Sequence, residues 1–404
     1  MKRWHVAAAG FTALLLAGMV YAWSILSAPI AQEFPHWSKA QLSMTFTVVM
    51  IFFCLGSVAA GFLSARVSAR TLVWIAAALF LTGFLSAARI RTPAALWLSF
   101  GAVCGTASGL TYNAVLGTIG RWYPDRPGLI SGILLMGFGF SSFLIGKLYQ
   151  AFTPAVSGGW RRSFLVLGAV TAAVLALCAP ALKRPGTGFV PPAGGKTRRR
   201  AAAAEVATGQ MLRRADFWLF YLWAAALSAA GLALVSQAGG IAREIGAAVP
   251  PAAIATTVGL ISIFNGLGRV LSGGLFDRLG RRAVMLLDCG CFLLAGLLLT
   301  AALRAGSYAL MTAGFVVGGI AYGGVSPTNS AFTGAYYGPR HYPLNFSVVN
   351  SNLMIASFGS TVAGALYDRS GTYRSTDLMI AALALLGAAA SAAITVCDRK
   401  RRRA

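Results

Sequence analysis

Gly273-Gly-Leu-Phe-Asp277-Arg278-Leu-Gly280-Arg281-Arg282 is a short charged stretch in a chain with very little charge elsewhere. An apolar run, 251–276, leads into it, and a second, 283–303, follows it. Each run is long enough to cross a bilayer, which takes roughly 20 apolar residues. The quoted stretch is therefore a tight polar turn between two membrane spans. Its arginines place it on the cytoplasmic side, where positive loops are retained.

The same grammar extends in both directions. Twelve apolar runs can be read at 5–31, 40–65, 71–90, 93–119, 128–152, 162–182, 216–242, 251–276, 283–303, 306–335, 343–367 and 376–397. Of 404 residues, 57% are apolar and only 11% charged. Soluble proteins carry about a quarter charged residues, which argues against a soluble globular enzyme. Lys2 and Arg3 precede the first run as they would a signal peptide, but the run exceeds a signal core of roughly 7–15 residues and is read as a retained helix. The expected fold is an all-α membrane protein with twelve transmembrane helices in two six-helix bundles.

Charge sets the topology. The chain has 34 Lys and Arg against 10 Asp and Glu, a formal charge of +24. Such an excess could suit nucleic acid, but the cations sit at the ends of apolar runs, so none is expected as a partner. With the N-terminus inside, the inner loops and tail hold 23 of the 34 cations and the outer loops 9. Both termini are therefore expected in the cytoplasm of a multi-pass cell (inner) membrane protein, with the lipid bilayer as its surroundings.

The longest polar stretch, 183–214, combines Pro185, Pro191 and Pro192 with the run Arg198-Arg199-Arg200. It reads as a flexible cytoplasmic linker near an anionic membrane surface. It divides the chain into an N-terminal bundle (1–182) and a C-terminal bundle with a basic tail (215–404). The halves echo each other. Gly61-Phe-Leu-Ser-Ala65-Arg66-Val-Ser-Ala-Arg70 is a degraded copy of the opening motif, and Gly146-Lys-Leu-Tyr-Gln150 is answered by Gly364-Ala-Leu-Tyr-Asp368. Repeats at half-chain and quarter-chain spacing are what paired transporter halves made of inverted repeats produce.

No enzyme chemistry is legible. His5, His36 and His341 lie at span ends, and the six cysteines show neither CxxC spacing nor a nearby His. A metal site, a cofactor and a nucleophile–base pair are all unexpected. Attention turns to ionisable residues inside spans, which are expensive and mark function. Arg269 lies mid-span, and a guanidinium stays charged and offers a planar fork matched to a carboxylate. Asn265, four residues earlier, shares its helical face, and Gly266 and Gly268 are read as leaving room beside the pair. Tyr21, Tyr112, Asn113, Tyr322 and Asn352 fall near mid-span and could complete an anion pocket, or simply pack. Gly318, Gly319, Gly323 and Gly324 around Tyr322 favour close helix packing. Asp288 is read as structural, with a gating or proton role as the alternative. Lys147 lies where its long chain can snorkel. Asp277, Arg278, Arg281 and Arg282 are assigned to an inner gate, with Asp277 pairing with the arginines or capping a facing helix.

The G-x-x-x-D-R-x-G-R-R turn, twelve spans and a central linker together resemble the major facilitator superfamily. Val20-Tyr21-Ala22-Trp23-Ser24-Ile25, then Pro29 and Trp37-Ser38, resemble the first helix of the oxalate:formate antiporter and monocarboxylate transporter families. Arg121-Trp122-Tyr123-Pro124-Asp125-Arg126-Pro127-Gly128-Leu129, leading into Ser131-Gly132, resembles their connection between helices four and five. The resemblance implies that Arg269 binds the substrate carboxylate. It also implies two departures: Asn265 stands where animal monocarboxylate transporters commonly carry an aspartate, and Asn352 where the oxalate transporter has a second cation. One fixed positive charge suits one carboxylate. The expectation is a monomeric secondary transporter that carries a short monocarboxylate, such as lactate or pyruvate, with a proton by alternating access. Oxalate:formate-type exchange is the alternative.

Overall fold

Inside a bilayer no water is available to the backbone, so each span must satisfy its own N–H and C=O groups. The chain does so with helices. The computed structural model describes residues 3–154, 156, 158–186, 189, 205–246 and 251–403, and no strand occurs among them. Most of the expected linker, including Arg198, Arg199 and Arg200, lies outside the described residues.

The first half comprises α1 (Arg3–Ala17), α2 (Lys39–Leu63), α3 (Ala69–Ala87), α4 (Pro93–Ile119), α5 (Pro127–Phe152) and α6 (Gly159–Cys178). The second half comprises α7 (Ala215–Ile245), α8 (Pro251–Leu279), α9 (Arg281–Ala305), α10 (Tyr308–Tyr337), a broken α11 and α12 (Arg374–Arg403). Among the described residues, eleven helices are long and apolar enough to cross a membrane. The eleventh span is assembled from pieces, Tyr342–Asn350, Asn352–Ala356 and Phe358–Ser370. Its own polar side chains are part of the reason. Asn352 Nδ2 donates to the Val349 carbonyl at 2.7 Å and Ser357 Oγ to that of Met354 at 2.7 Å, competing with the helical ladder. This is the twelve-helix architecture expected from the sequence, with one helix interrupted.

Helix ends are set locally. Ser38 and Gln41 form a reciprocal capping box at α2, with Gln41 N donating to Ser38 Oγ at 3.1 Å and Ser38 N to Gln41 Oε1 at 2.9 Å. Ser68, Thr92 and Ser307 cap α3, α4 and α10 through their hydroxyls. Between α8 and α9 the turn is a single residue, Gly280, at φ 82°. Only glycine adopts that region without strain, which explains the second glycine of the motif.

The chain forms two compact units. One comprises Met1–Asp125, Ile133–Gly195 and Tyr342–Val348; the other comprises Arg126–Gly132, Lys196–His341 and Val349–Ala404. The first has a core of aromatic rings packed edge to face, Phe84, Phe100, Trp160 and Phe164, all buried. The second is built around Phe220, Trp223 and Phe332, with the Phe220 and Phe332 rings parallel and 3.6 Å apart. Outward-facing positions are apolar too: Phe62, Phe152 and Leu177 are 66%, 77% and 79% exposed. A surface of that kind is unfavourable in water and suited to lipid tails.

Candidate functional site

The second unit holds the mid-span cation. Arg269 is half-buried on α8, and its Nε donates to Asn265 Oδ1 at 3.0 Å, one turn earlier on the same face. Ser272, three residues further on, continues that stripe and is buried. A side-chain carbonyl on Nε fixes the roll of the guanidinium plane, which is what a planar ligand requires. The Arg269 charge also acts on Tyr322 of α10, and the Tyr322 ring lies against Gly231 of α7.

Backbone contacts hold α8 in place. A Cβ on Gly323 of α10 would lie 2.2 Å from the Asn265 carbonyl oxygen, and one on Gly132 of α5 would lie 2.3 Å from that of Arg269. Gly268 corrects the sequence expectation. It leaves no room beside Arg269, because the Ile320 carbonyl oxygen fills its Cβ position at 2.2 Å. Its smallness serves helix packing.

Asp288 of α9 sits close to this stripe. It is 3% exposed, and its Oδ1 accepts from Ser272 Oγ at 3.3 Å. Its Oδ2 has no hydrogen-bond partner among the described residues. Gly324 of α10 faces it so closely that a Cβ there would lie 2.2 Å from Oδ1.

The motif residues divide. Asp277 accepts from the backbone N–H groups of Gly128 (Oδ1, 2.9 Å) and Leu129 (Oδ2, 2.8 Å), capping the start of α5. The helix-capping alternative read from the sequence is the geometry present. Arg281 is different. Assigned to the gate from sequence, it is 6% exposed and acts as a strut between α9 and α12, donating to Asp398 Oδ2 at 3.0 Å, Thr395 Oγ1 at 3.2 Å and the Ser391 carbonyl at 3.5 Å. Tyr336 OH donates to the same Asp398 oxygen at 2.6 Å. The reason is helical phase: the residue after the Gly280 turn faces α12. Arg278 and Arg282 are exposed.

Asn352, expected to face a ligand, is fully buried in packing. Its Oδ1 accepts from Ser228 Oγ at 3.0 Å and its Nδ2 is used within the α11 break. In the first unit, Asn113 Nδ2 donates to the Pro343 carbonyl at 2.7 Å and to Ser57 Oγ at 3.2 Å, so that its donor group is also used within the protein. Tyr112 is 3% exposed, with its ring against Phe53, Phe138 and Phe346. Tyr21 meets Phe138 edge-on at 5.4 Å. Lys147 is exposed. The structure thus brings Asn265, Arg269 and Tyr322 together, groups Tyr21 with Tyr112 around Phe138, and commits Asn113 and Asn352 to packing. The sequence reading missed Ser272, although its i, i+4, i+7 spacing with Asn265 and Arg269 was a usable signal. It also missed Asp398 and Tyr336, for which no local signal exists.

Comparison with known proteins agrees with this architecture. The family model of the Major Facilitator Superfamily matches residues 8–303 and again 224–404, an overlap expected of repeated halves. The chain is similar to the oxalate:formate antiporter of Oxalobacter formigenes, at 26% identity over 84% of this chain and 80% of that protein. It is similar over a shorter region to monocarboxylate transporter 11 of Mus musculus, 30% identical across 42% of this chain and 37% of that one. Among solved structures, the proton:xylose symporter XylE superposes with a TM-score of 0.72 at 12% identity, covering 96% of this chain and 94% of its own. The E. coli fucose:proton symporter FucP superposes at 0.68 and 14% identity, with 96% and 98% covered. With its family model matched almost end to end and its helices arranged as in these transporters, this chain belongs to the Major Facilitator Superfamily.

Proposed function

We propose that the protein is a secondary active transporter of short monocarboxylates, lactate and pyruvate among them, working by alternating access with a proton as co-substrate. The observation that carries this reading is Arg269, a guanidinium within a membrane span whose plane is fixed by Asn265. A carboxylate leaving water needs fixed, charged donors to replace its hydration, and a bidentate guanidinium supplies them. The antiporter and monocarboxylate transporter relatives support a small organic anion as the cargo. The 23 positive residues on one side support a cytoplasmic location for both termini.

A second reading is anion exchange of the oxalate:formate kind, favoured by the coverage of that antiporter over most of the chain. Uptake into proteoliposomes separates the two. Under an inward pH gradient, a symporter concentrates labelled lactate, and a protonophore abolishes the accumulation. Uptake that ignores the pH gradient but requires an internal anion supports exchange. A panel of lactate, pyruvate, acetate, formate and oxalate identifies the cargo, and transport of none of them overturns the carboxylate reading.

A further inference from the structure

Asp288 is a carboxyl group buried in a membrane-spanning helix, and the anion site at Arg269 does not use it. One oxygen accepts from Ser272 Oγ at 3.3 Å and the other has no partner among the described residues. Buried charges are ordinarily paired or fully hydrogen-bonded, so a half-satisfied carboxyl at this depth is not explained by packing alone. Two carboxylates that fix helix ends look different. Asp277 has a backbone N–H on each oxygen, and Glu33 has Arg161 on one and Trp160 on the other.

Its position relative to Arg269 is the second observation. Ser272 lies three residues beyond Arg269, about 4.5 Å along the helix axis. The adjacent glycines of α10 run along the same stripe: Gly323 abuts the backbone of Asn265 and Arg269, and Gly324 abuts Asp288 and Ser272. From α7 the neighbouring Cys289 receives Trp223 Nε1, and from α12 that same thiol is faced by Gly387. Among the described residues, the titratable groups on which the Asp288 charge acts are the thiols of Cys289 and Cys291, and the cation of the facing helix α8 is Arg269, one turn from Ser272.

We propose that Asp288 is the proton-carrying group of this transporter, linked to the anion on Arg269 through the Ser272 turn of α8. The inference rests on the carboxylate reading of Arg269. In the empty site the guanidinium of Arg269 is the cation of this stripe of α8, and the Asp288 carboxyl sits on Ser272, one turn further along. When a carboxylate docks on Arg269, two like charges share a low-dielectric interior, and uptake of one proton by Asp288 relieves their repulsion. Anion binding and proton binding then favour each other by the same factor, as linkage requires. The balance is one proton taken up as the Asp288 carboxylate becomes a carboxylic acid, and one monoanion held by Arg269. Both are released on the far side, and no net charge is moved.

The test uses the full chain, purified and reconstituted, with lactate as the probe. Proton uptake on lactate binding is followed with a pH indicator, and lactate movement as both pH-driven accumulation and lactate:lactate exchange. The parent should take up about one proton per lactate bound. Asp288→Asn should take up none, and its driven accumulation should fall on the order of tenfold or more, within the usual span of coupling between sites. Its exchange should fall far less. Ser272→Ala, which keeps the carboxyl, should displace the pH profile of driven uptake while leaving lactate affinity within a few-fold of the parent. If Asp288→Asn fails to fold, this serine variant decides, and an unmoved profile overturns the proposal. Proton uptake and driven accumulation in Asp288→Asn equal to the parent's also overturn it. So does a parent that exchanges lactate without taking up protons. In both cases the Arg269 reading survives so long as Arg269→Ala abolishes lactate binding. Lactate binding that is undiminished in Arg269→Ala overturns both.

Discussion

Arg269 combines charge, planarity and a fixed roll angle, and each can be removed separately. Arg269→Ala should abolish saturable lactate binding while leaving a folded protein, since water can occupy the vacated volume. Arg269→Lys keeps the charge but loses the fork and the donation to Asn265. Its affinity should fall by on the order of 1.5–3 kcal/mol, the range for hydrogen bonds to charged groups, which equilibrium binding reads as roughly a tenfold to hundredfold rise in Kd. Parental binding in the lysine variant would show that the planar fork has no role. Parental binding in the alanine variant would place the anion site elsewhere.

At the scale of the element, two carboxylates fix helix ends. Asp277 supplies an acceptor to each of two N–H groups at the start of α5, where the helix dipole also favours negative charge. Nearby, Gly128 and Gly273 meet backbone to backbone, and a Cβ on Gly273 would lie 2.2 Å from the Gly128 carbonyl oxygen. Asp277→Asn keeps one acceptor and sets an amide N–H₂ against a donor. It should cost about 1 kcal/mol, the typical value of a lost cap, and should increase labelling of cysteines introduced at the Gly280 end of α8. It should slow turnover more than it weakens binding. Unchanged labelling would count against a gating role for this cap.

Glu33, the last residue of a short helix (Ala28–Glu33) that follows α1, accepts from Arg161 Nη2 at 2.5 Å and from Trp160 Nε1 at 2.7 Å. Burial is the largest single influence and pushes its carboxyl up. The hydrogen bonds from Arg161 and Trp160, the Arg161 charge and the Gly158 N–H together outweigh burial and hold it below the ordinary value of 4.5. A folded-state value below the unfolded one gives stability that is complete above about pH 4.5 and lost as pH falls through the folded value. Melting temperatures of the parent should therefore drop on acidification more steeply than those of Glu33→Gln. Parallel curves would show that the cluster adds no pH-dependent stability.

For the whole molecule, charge asymmetry and the apolar outer surface determine how the chain sits in a membrane. With 34 cations against 10 anions and most cations in alternate loops, insertion should follow the positive-inside rule. A reporter active only outside the membrane should be silent when fused to the C-terminus and active when placed in the loop that carries Arg304. Activity at the C-terminus would invert the topology.

The sequence by itself determined the spans, their number and the presence of a cation in the eighth. These are one-body properties: in lipid every segment must satisfy its own backbone and hide its own charge, so hydropathy and a lone Arg269 are visible residue by residue. Even the stripe from Asn265 to Ser272 follows from helical spacing. Only the tertiary structure decided that Asn113 and Asn352 are spent on Pro343 and Ser228, that Arg281 braces α12, and that Ser272 reaches Asp288. Which partner a polar side chain finds depends on which helix lies opposite, at what height and in what rotational phase. Nothing in a helix's own periodicity encodes those three quantities.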